Sequence, residues 1–179
     1  MITSLIEEHP SATHFVWLAA STEGGGGFLP PPVSAYAWRV DTAAGKVLQS
    51  GGNALRPPIG DWSTYAMLHA ATEAVAQGGI PEGSHLHFIS DLSFLTDLLN
   101  EDRAARRATG YLRKSKPRRP LAYADKWREL DAALDKLNLT VSAGRPLSDE
   151  SRWPLGGLKL WATEIRRNIG RDPSEWGVR

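Results

Sequence analysis

One short run constrains the fold more than any other part of the chain. His85-Leu86-His87-Phe88-Ile89-Ser90-Asp91 alternates polar and apolar residues with a period of two, and a helical pattern lies on each side of it. The pattern before it, from Ser63 to Gln77, places Ala66, Met67, Ala70, Ala71, Ala74 and Val75 on one stripe. Ser63 is positioned to cap that helix and Gly78-Gly79 to end it. The pattern after it runs from Leu92 to Asn100. A strand entered from one helix and left by another belongs to a sheet whose later strands run parallel. Side chains at the carboxyl end of such a strand face the crevice where ligands bind. Asp91 stands at that end.

The rest of the chain supplies the other strands. His14 to Thr22 is an apolar run of β-formers, short enough for a buried strand. Ser34 to Asp41 and Lys46 to Asn53 read as strands of a meander, turning at Thr42-Ala43-Ala44-Gly45. Between the first two strands lie Glu23, four glycines (Gly24 to Gly27) and Pro30-Pro31-Pro32. With no Lys-Ser/Thr following, a hairpin loop fits this stretch better than a phosphate cradle. After Pro120 the spacing of Trp127, Leu130, Ala133, Leu134 and Leu137 predicts a helix from about Tyr123 to Leu137, then a short strand from Leu139 to Ala143. Gly144 to Asp149 reads as a loop and Pro154 to Arg167 as a last helix.

The expected organisation is therefore an extension over residues 1–13, one α/β domain over 14–167 and a tail over 168–179. With 41% hydrophobic residues, a chain of 179 residues has enough apolar material for a single core. It has no cysteine, which excludes disulfides, thiolate zinc sites and cysteine nucleophiles and fits a reducing cytoplasm. No apolar run is long enough to span a bilayer, so no membrane association is expected. The net charge of +1 says little about partners, and the distribution of charge says more. Arg103, Arg106, Arg107, Arg113, Lys114, Lys116, Arg118 and Arg119 follow one another with no acidic residue among them.

The order β-β-β-α-β-α, basic segment, α-β-α resembles the ribonuclease H fold: a mixed five-stranded sheet of a three-strand antiparallel meander plus two parallel strands, flanked by helices. The second half is similar to bacterial ribonuclease HI. Gly110-Tyr111, a basic Lys/Pro segment and Asp125-Lys126-Trp127-Arg128-Glu129-Leu130-Asp131-Ala132-Ala133-Leu134 stand where the family has Gly-Trp, Lys-Lys-Pro and Asp-Leu-Trp-x-x-Leu-Asp-Ala-Ala-Leu. Ile89-Ser90-Asp91, the Gly-rich first hairpin and Met67-Leu68-His69-Ala70-Ala71 add to the likeness, which covers residues 14–167.

Family members are metal-dependent endonucleases that cut the RNA strand of RNA–DNA hybrids with four carboxylates. Carried over by position, only Asp91 remains. The first-strand Asp falls at Ala19 or Ala20, the helix Glu at Met67 and the last-helix Asp near Pro154, while the assisting loop His falls near Gly144. A lone carboxylate leaves two dications under-neutralised, so Mg²⁺ or Mn²⁺ is expected to bind weakly or not at all. Glu23, Asp149 and Glu150 are the substitutes that loops bending inward would bring near. Glu73, six residues from Met67, is out of helical phase.

The eight cations occupy the place of the family's basic handle, which implies phosphate contacts. The family's Trp pair at the root of the handle is replaced near Asp102 and Arg106. The family's backbone contacts on the first helix fall near Trp62, Ser63 and Thr64, although Ser63 serves equally as a cap. His85 and His87 share a sheet face without a third ligand, which favours packing over zinc. Trp17, Trp38, Trp127 and Trp161 are expected in the core, and Asp91 has a plain alternative as a cap of the helix that follows it. The expected function is binding of an RNA–DNA hybrid or duplex RNA by a monomer with a degenerate metal site. An active hybrid nuclease with relocated acids and a protein-interaction module on the same scaffold are the rivals.

Overall fold

In a computed structural model of the chain, the described residues are 3–22, 33–58, 62–113, 117 and 119–169, with the side chains of Thr3 and Glu150 left out. The elements in order are α1 (Thr3–Glu8), β1 (His14–Ser21), β2 (Ser34–Thr42), β3 (Val47–Leu55), α2 (Trp62–Gln77), β4 (His85–Ile89), α3 (Ser93–Leu99), α4 (Arg103–Ala108), α5 (Ala124–Lys136), β5 (Thr140–Gly144) and α6 (Asp149–Arg167).

The five strands form one sheet in the order β3-β2-β1-β4-β5. β1 and β3 both pair antiparallel with β2, whereas β4 pairs parallel with β1 and β5 pairs parallel with β4. This is the mixed sheet the element order predicts, with β1 at its centre. Centrality explains why the β1 sequence is almost continuously apolar: side chains alternate between the two faces, and both faces are covered. Val16 and Leu18 pack with α2 and α5 in one core cluster. Phe15, Trp17 and Ala19 pack with Leu155, Leu158 and Ala162 of α6 in a second cluster on the opposite face. Trp17, Trp38 and Trp127 are fully buried, and a β-carbon on Gly51 of β3 would come 2.5 Å from the Trp38 ring, so the indole occupies the space a side chain would need.

Four local features add to or differ from the sequence expectation. The first residues, read as an extension, pack onto the sheet side of α6: Leu5 of α1 and Ala12 are buried in the second core cluster, and the Ser4 hydroxyl donates to Ser148 at 3.2 Å. The basic segment contains a helix, α4, whose first turn is closed by the Asp102 carboxylate accepting from the Ala104 N–H at 2.9 Å. The last helix starts at Asp149, five residues earlier than Pro154. Ser148 caps it, with Ser151 returning the bond from its side chain to the Ser148 N–H at 3.2 Å. This reciprocal cap secures the first turn, and Pro154 lies inside the helix instead of opening it. α2 likewise begins at Trp62, which puts Ser63 within the first turn. Among the described residues, no helix is long and apolar enough to cross a membrane.

Candidate functional site

Asp91 follows the carboxyl end of β4, between the neighbouring strands β1 and β5. The parallel register pairs Trp17 with Ile89, so Ala19 lies level with Asp91 two residues further on. The Asp91 carboxylate does not cap α3. Leu92 is the cap residue there, without a side-chain bond, and the Ser90 hydroxyl accepts from the Leu92 N–H at 3.2 Å. The partner of Asp91 is Lys159 of α6, with Nζ 2.6 Å from Oδ2, and the two side chains are 49% and 46% exposed.

The positions where the resemblance calls for further carboxylates hold none. Ala20 packs against the first core cluster, Met67 is buried within it, and Pro154 lies in the second turn of α6. Of the proposed substitutes, Asp149 opens α6 and has its carboxylate 3.7 Å from Arg152 in solvent. Ten residues separate Asp149 from Lys159, which is about 15 Å of helical rise. The expectation that Asp149 bends toward Asp91 is therefore corrected: the residue belongs to a rigid helix, not to a loop. Glu23 and the Glu150 side chain lie outside the described residues.

Among the described residues, no three His, Cys, Asp or Glu side chains come together in a way that would hold a metal ion. Among the described residues, the donor set around Asp91 does not fit a pair of dications: it offers one carboxylate, already paired with an ammonium group. Sequence reasoning missed Lys159. The residue is 68 positions from Asp91, and only the packing of α6 beside β1 brings the two together.

The basic segment divides into two parts. Arg106 is 3% exposed and points inward. Its Nη2 and Nε donate to the two oxygens of Asp131 on α5, at 2.7 and 3.4 Å, and its Nη1 donates to the carbonyls of Leu98 and Glu101. The guanidinium carbon lies 5.3 Å from the centre of the Trp127 ring, and the Tyr111 hydroxyl donates to the same carboxylate at 3.1 Å. A cation in this position has no surface to offer a phosphate, so its assignment to the handle is corrected. Arg103 donates to the Leu139 carbonyl at 2.7 Å and lies 3.4 Å from Asp135, which also pairs with Arg107. The segment lacks acids of its own, but α5 provides them.

Arg113 and Arg119 are placed differently. Residues 111–113 and 119–121 pair as a narrow antiparallel ladder. The Arg113 N–H donates to the Arg119 carbonyl at 2.7 Å, Leu112 bridges Pro120, and the Leu121 N–H donates to the Tyr111 carbonyl at 2.8 Å. Tyr111 and Leu121 are buried in the first core cluster and fix the base of this ladder. Arg113 and Arg119 are exposed on opposite strands, and the guanidinium of Arg128, also exposed, sits 5.0 Å over the Tyr111 ring. Lys114, Lys116 and Arg118 lie outside the described residues. On α2, Thr64 is fully buried, which corrects its assignment as a backbone contact. Ser63 is half-buried, with its hydroxyl 3.5 Å from that of Thr22.

The two strand histidines are held by hydroxyls. His85 is hydrogen-bonded to Thr140 and Ser142, and His87 to Ser142, each at 2.9 Å. His9 stacks on the His87 ring with centroids 3.5 Å apart. Burial, reinforced by repulsion from His9 and His85, pushes the pKa of His87 down to about 3.

No family model matches the sequence, and no curated protein does. Solved structures do resemble this chain. They include the foamy viral protease-reverse transcriptase in complex with dsDNA, with a TM-score of 0.63 and 14% identity over 89% of this chain and 96% of that one. The foamy viral protease-reverse transcriptase in complex with RNA/DNA hybrid gives a TM-score of 0.63 and 14% identity over 89% of this chain, which spans only 20% of that longer one. LC9-RNase H1, a type 1 RNase H with the type 2 active-site motif, gives 0.58 and 15% identity over 86% of this chain and 74% of that one. At these identities the likeness shows the fold: the chain is ribonuclease H-like in architecture.

Proposed function

We propose that this protein binds nucleic acid, an RNA–DNA hybrid or duplex RNA, through the basic segment that carries Arg113 and Arg119, and that it does not cleave what it binds. The observation that carries the reading is the facing of Arg113 and Arg119 across a ladder rooted in the core. Like charges directly opposite one another destabilise a strand pair. A phosphate between them relieves that repulsion, and the neighbouring Lys114, Lys116 and Arg118 raise the local positive charge further. Arg103, Arg106 and Arg107 are committed to carbonyls and to acids of α5. The proposed surface is thus narrower than the eight cations of the sequence.

The Asp91–Lys159 pair supports the inactive half of the reading. A hydrolytic pair of metal ions needs several carboxylates at one point, and here a lysine faces the one that remains. The cytoplasm is the compartment a cysteine-free chain suits. Solved structures of similar fold hold dsDNA and an RNA/DNA hybrid, which makes duplexes of both kinds the probes to use.

The test incubates the protein with a labelled RNA–DNA hybrid, duplex RNA and duplex DNA in Mg²⁺ or Mn²⁺, measuring binding and cleavage together, with Asp91→Asn in parallel. Binding without cutting, equal in wild type and Asp91→Asn, is the expected result. Cutting that disappears in Asp91→Asn would refute the inactive reading, and absence of binding to any duplex would refute the reading as a whole.

A further inference from the structure

The outer face of α6 has no role in the reading above. Trp153 is 85% exposed and Leu160 is 75% exposed, the most exposed large apolar residues among those described. Between them lie Gly156 and Gly157, in the interior of a helix, where glycine is the weakest ordinary helix former. A β-carbon on either glycine would meet nothing within 4 Å, so packing within the chain does not require them. The result is a hollow of about 630 Å³ lined by Asp149, Arg152, Trp153, Gly156, Gly157 and Leu160. From Leu160 a second concavity of about 660 Å³ continues along the helix past Thr163, Glu164 and Arg167. A surface cleared of side chains and bordered by an indole and a leucine is shaped for close approach of another helix.

We propose that the occupant is a second copy of the same helix, running antiparallel across a two-fold axis. The charges along the face argue for it. From its first turn to its last the helix carries Asp149, Arg152, Glu164 and Arg167, in the order acid, base, acid, base. When two copies run antiparallel with Gly156 opposite Leu160, Arg152 meets Glu164 and Asp149 meets Arg167, twice over by symmetry. Each Leu160 enters the hollow of the facing Gly156, and each Trp153 covers its flank. The parallel arrangement sets every charge against its own kind. Such self-complementarity is what an isologous contact requires. The face is also neutral as a whole, which argues against a polyanion as its ligand. Self-association departs from the monomer expected on sequence grounds, and it stands independently of the proposed nucleic-acid binding.

The test is sedimentation of the full chain over a range of concentrations, with the variants Leu160→Asp, Gly156→Leu, Arg152→Glu, Glu164→Arg and the double variant Arg152→Glu/Glu164→Arg. The mass should rise toward twice that of one chain with concentration. Each single charge reversal should weaken association by about tenfold or more, and the double variant should recover most of it. Gly156→Leu should weaken association while raising thermal stability, because it fills the hollow and strengthens the helix; a merely structural glycine would not separate those two readouts. A chain that stays monomeric at every concentration overturns the proposal, whether the face is then covered by residues 170–179 or by a different protein. So does association indifferent to Leu160→Asp, or a double variant no better than the singles.

Discussion

Replacing Arg106 by alanine separates the structural cation from the binding cations. In the folded chain the Arg106 and Asp131 side chains are almost fully excluded from water, so truncating the arginine leaves a buried carboxylate whose remaining donor is the Tyr111 hydroxyl at 3.1 Å. The carbonyls of Leu98 and Glu101 lose a donor at the same time, and the face of Trp127 loses its cation. Removing one member of a buried ion pair costs about 3–5 kcal/mol. Domains of this size have about 5–15 kcal/mol in total. With a urea dependence of about 2 kcal/mol per molar, the unfolding midpoint should fall by roughly 2 M. Replacing both partners by apolar residues of similar volume, Arg106→Met with Asp131→Leu, should recover much of the loss, since no charge is then left unpaired. The measurement is urea unfolding followed by circular dichroism, with Arg113→Ala as the surface control, expected to stay within about 0.5 kcal/mol of wild type. A midpoint for Arg106→Ala close to that of wild type, together with a loss of affinity for duplexes, would refute the reasoning and return Arg106 to the handle.

Three further outcomes follow from the same structure. Because His87 has its pKa lowered to about 3 in the fold, it stays neutral there while the unfolded chain takes up a proton below about pH 6.5. Its contribution is present above pH 6.5 and is lost as the pH falls toward 3, at about 1.4 kcal/mol per pH unit. His87→Gln should flatten the acid limb of a stability–pH curve, and an unchanged limb would sink the assignment. Arg113→Ala and Arg119→Ala should each lower the slope of log affinity against log salt by about 0.9 for a duplex ligand without moving the unfolding midpoint, as fluorescence titrations over a salt series would read. Lys159→Ala should leave stability within about 1 kcal/mol, because the pair it breaks is half-exposed. It should also fail to produce Mg²⁺-dependent cutting of a hybrid, since one freed carboxylate does not seat two dications.

The parts of the fold legible in the sequence are those whose side-chain pattern is imposed by burial alone. β1 reads as a strand because both of its faces are covered, and α2 because Ala66, Met67, Ala70, Ala71, Ala74 and Val75 all enter the core. α4 was not legible. Arg-Ala-Ala-Arg-Arg-Ala has no apolar stripe, and each of its arginines is neutralised by an acid far along the chain: Asp131 for Arg106 and Asp135 for Arg103 and Arg107. The beginning of α6 was obscured because proline usually marks a first turn. Here a pair of serines, Ser148 and Ser151, closes the turn upstream of it.

The candidate site was misread where charge was counted along the chain instead of through space. Asp131 carried a usable signal. It lies four residues after Trp127 and three before Leu134, within the apolar stripe of α5, and it is completely buried. A carboxylate on a buried stripe requires a cation to enter the core with it, and the arginine-rich segment that ends at Arg119 is the nearest run of cations outside α5 itself. One arginine is thereby lost from the handle, and Asp135, one turn further along α5, draws in the arginines on either side of it. The same phase argument applied to α6 isolates the opposite anomaly. Leu155, Leu158, Ala162 and Ile165 face the core, so Trp153 and Leu160 are apolar residues on the wrong side of their helix for a chain that keeps to itself.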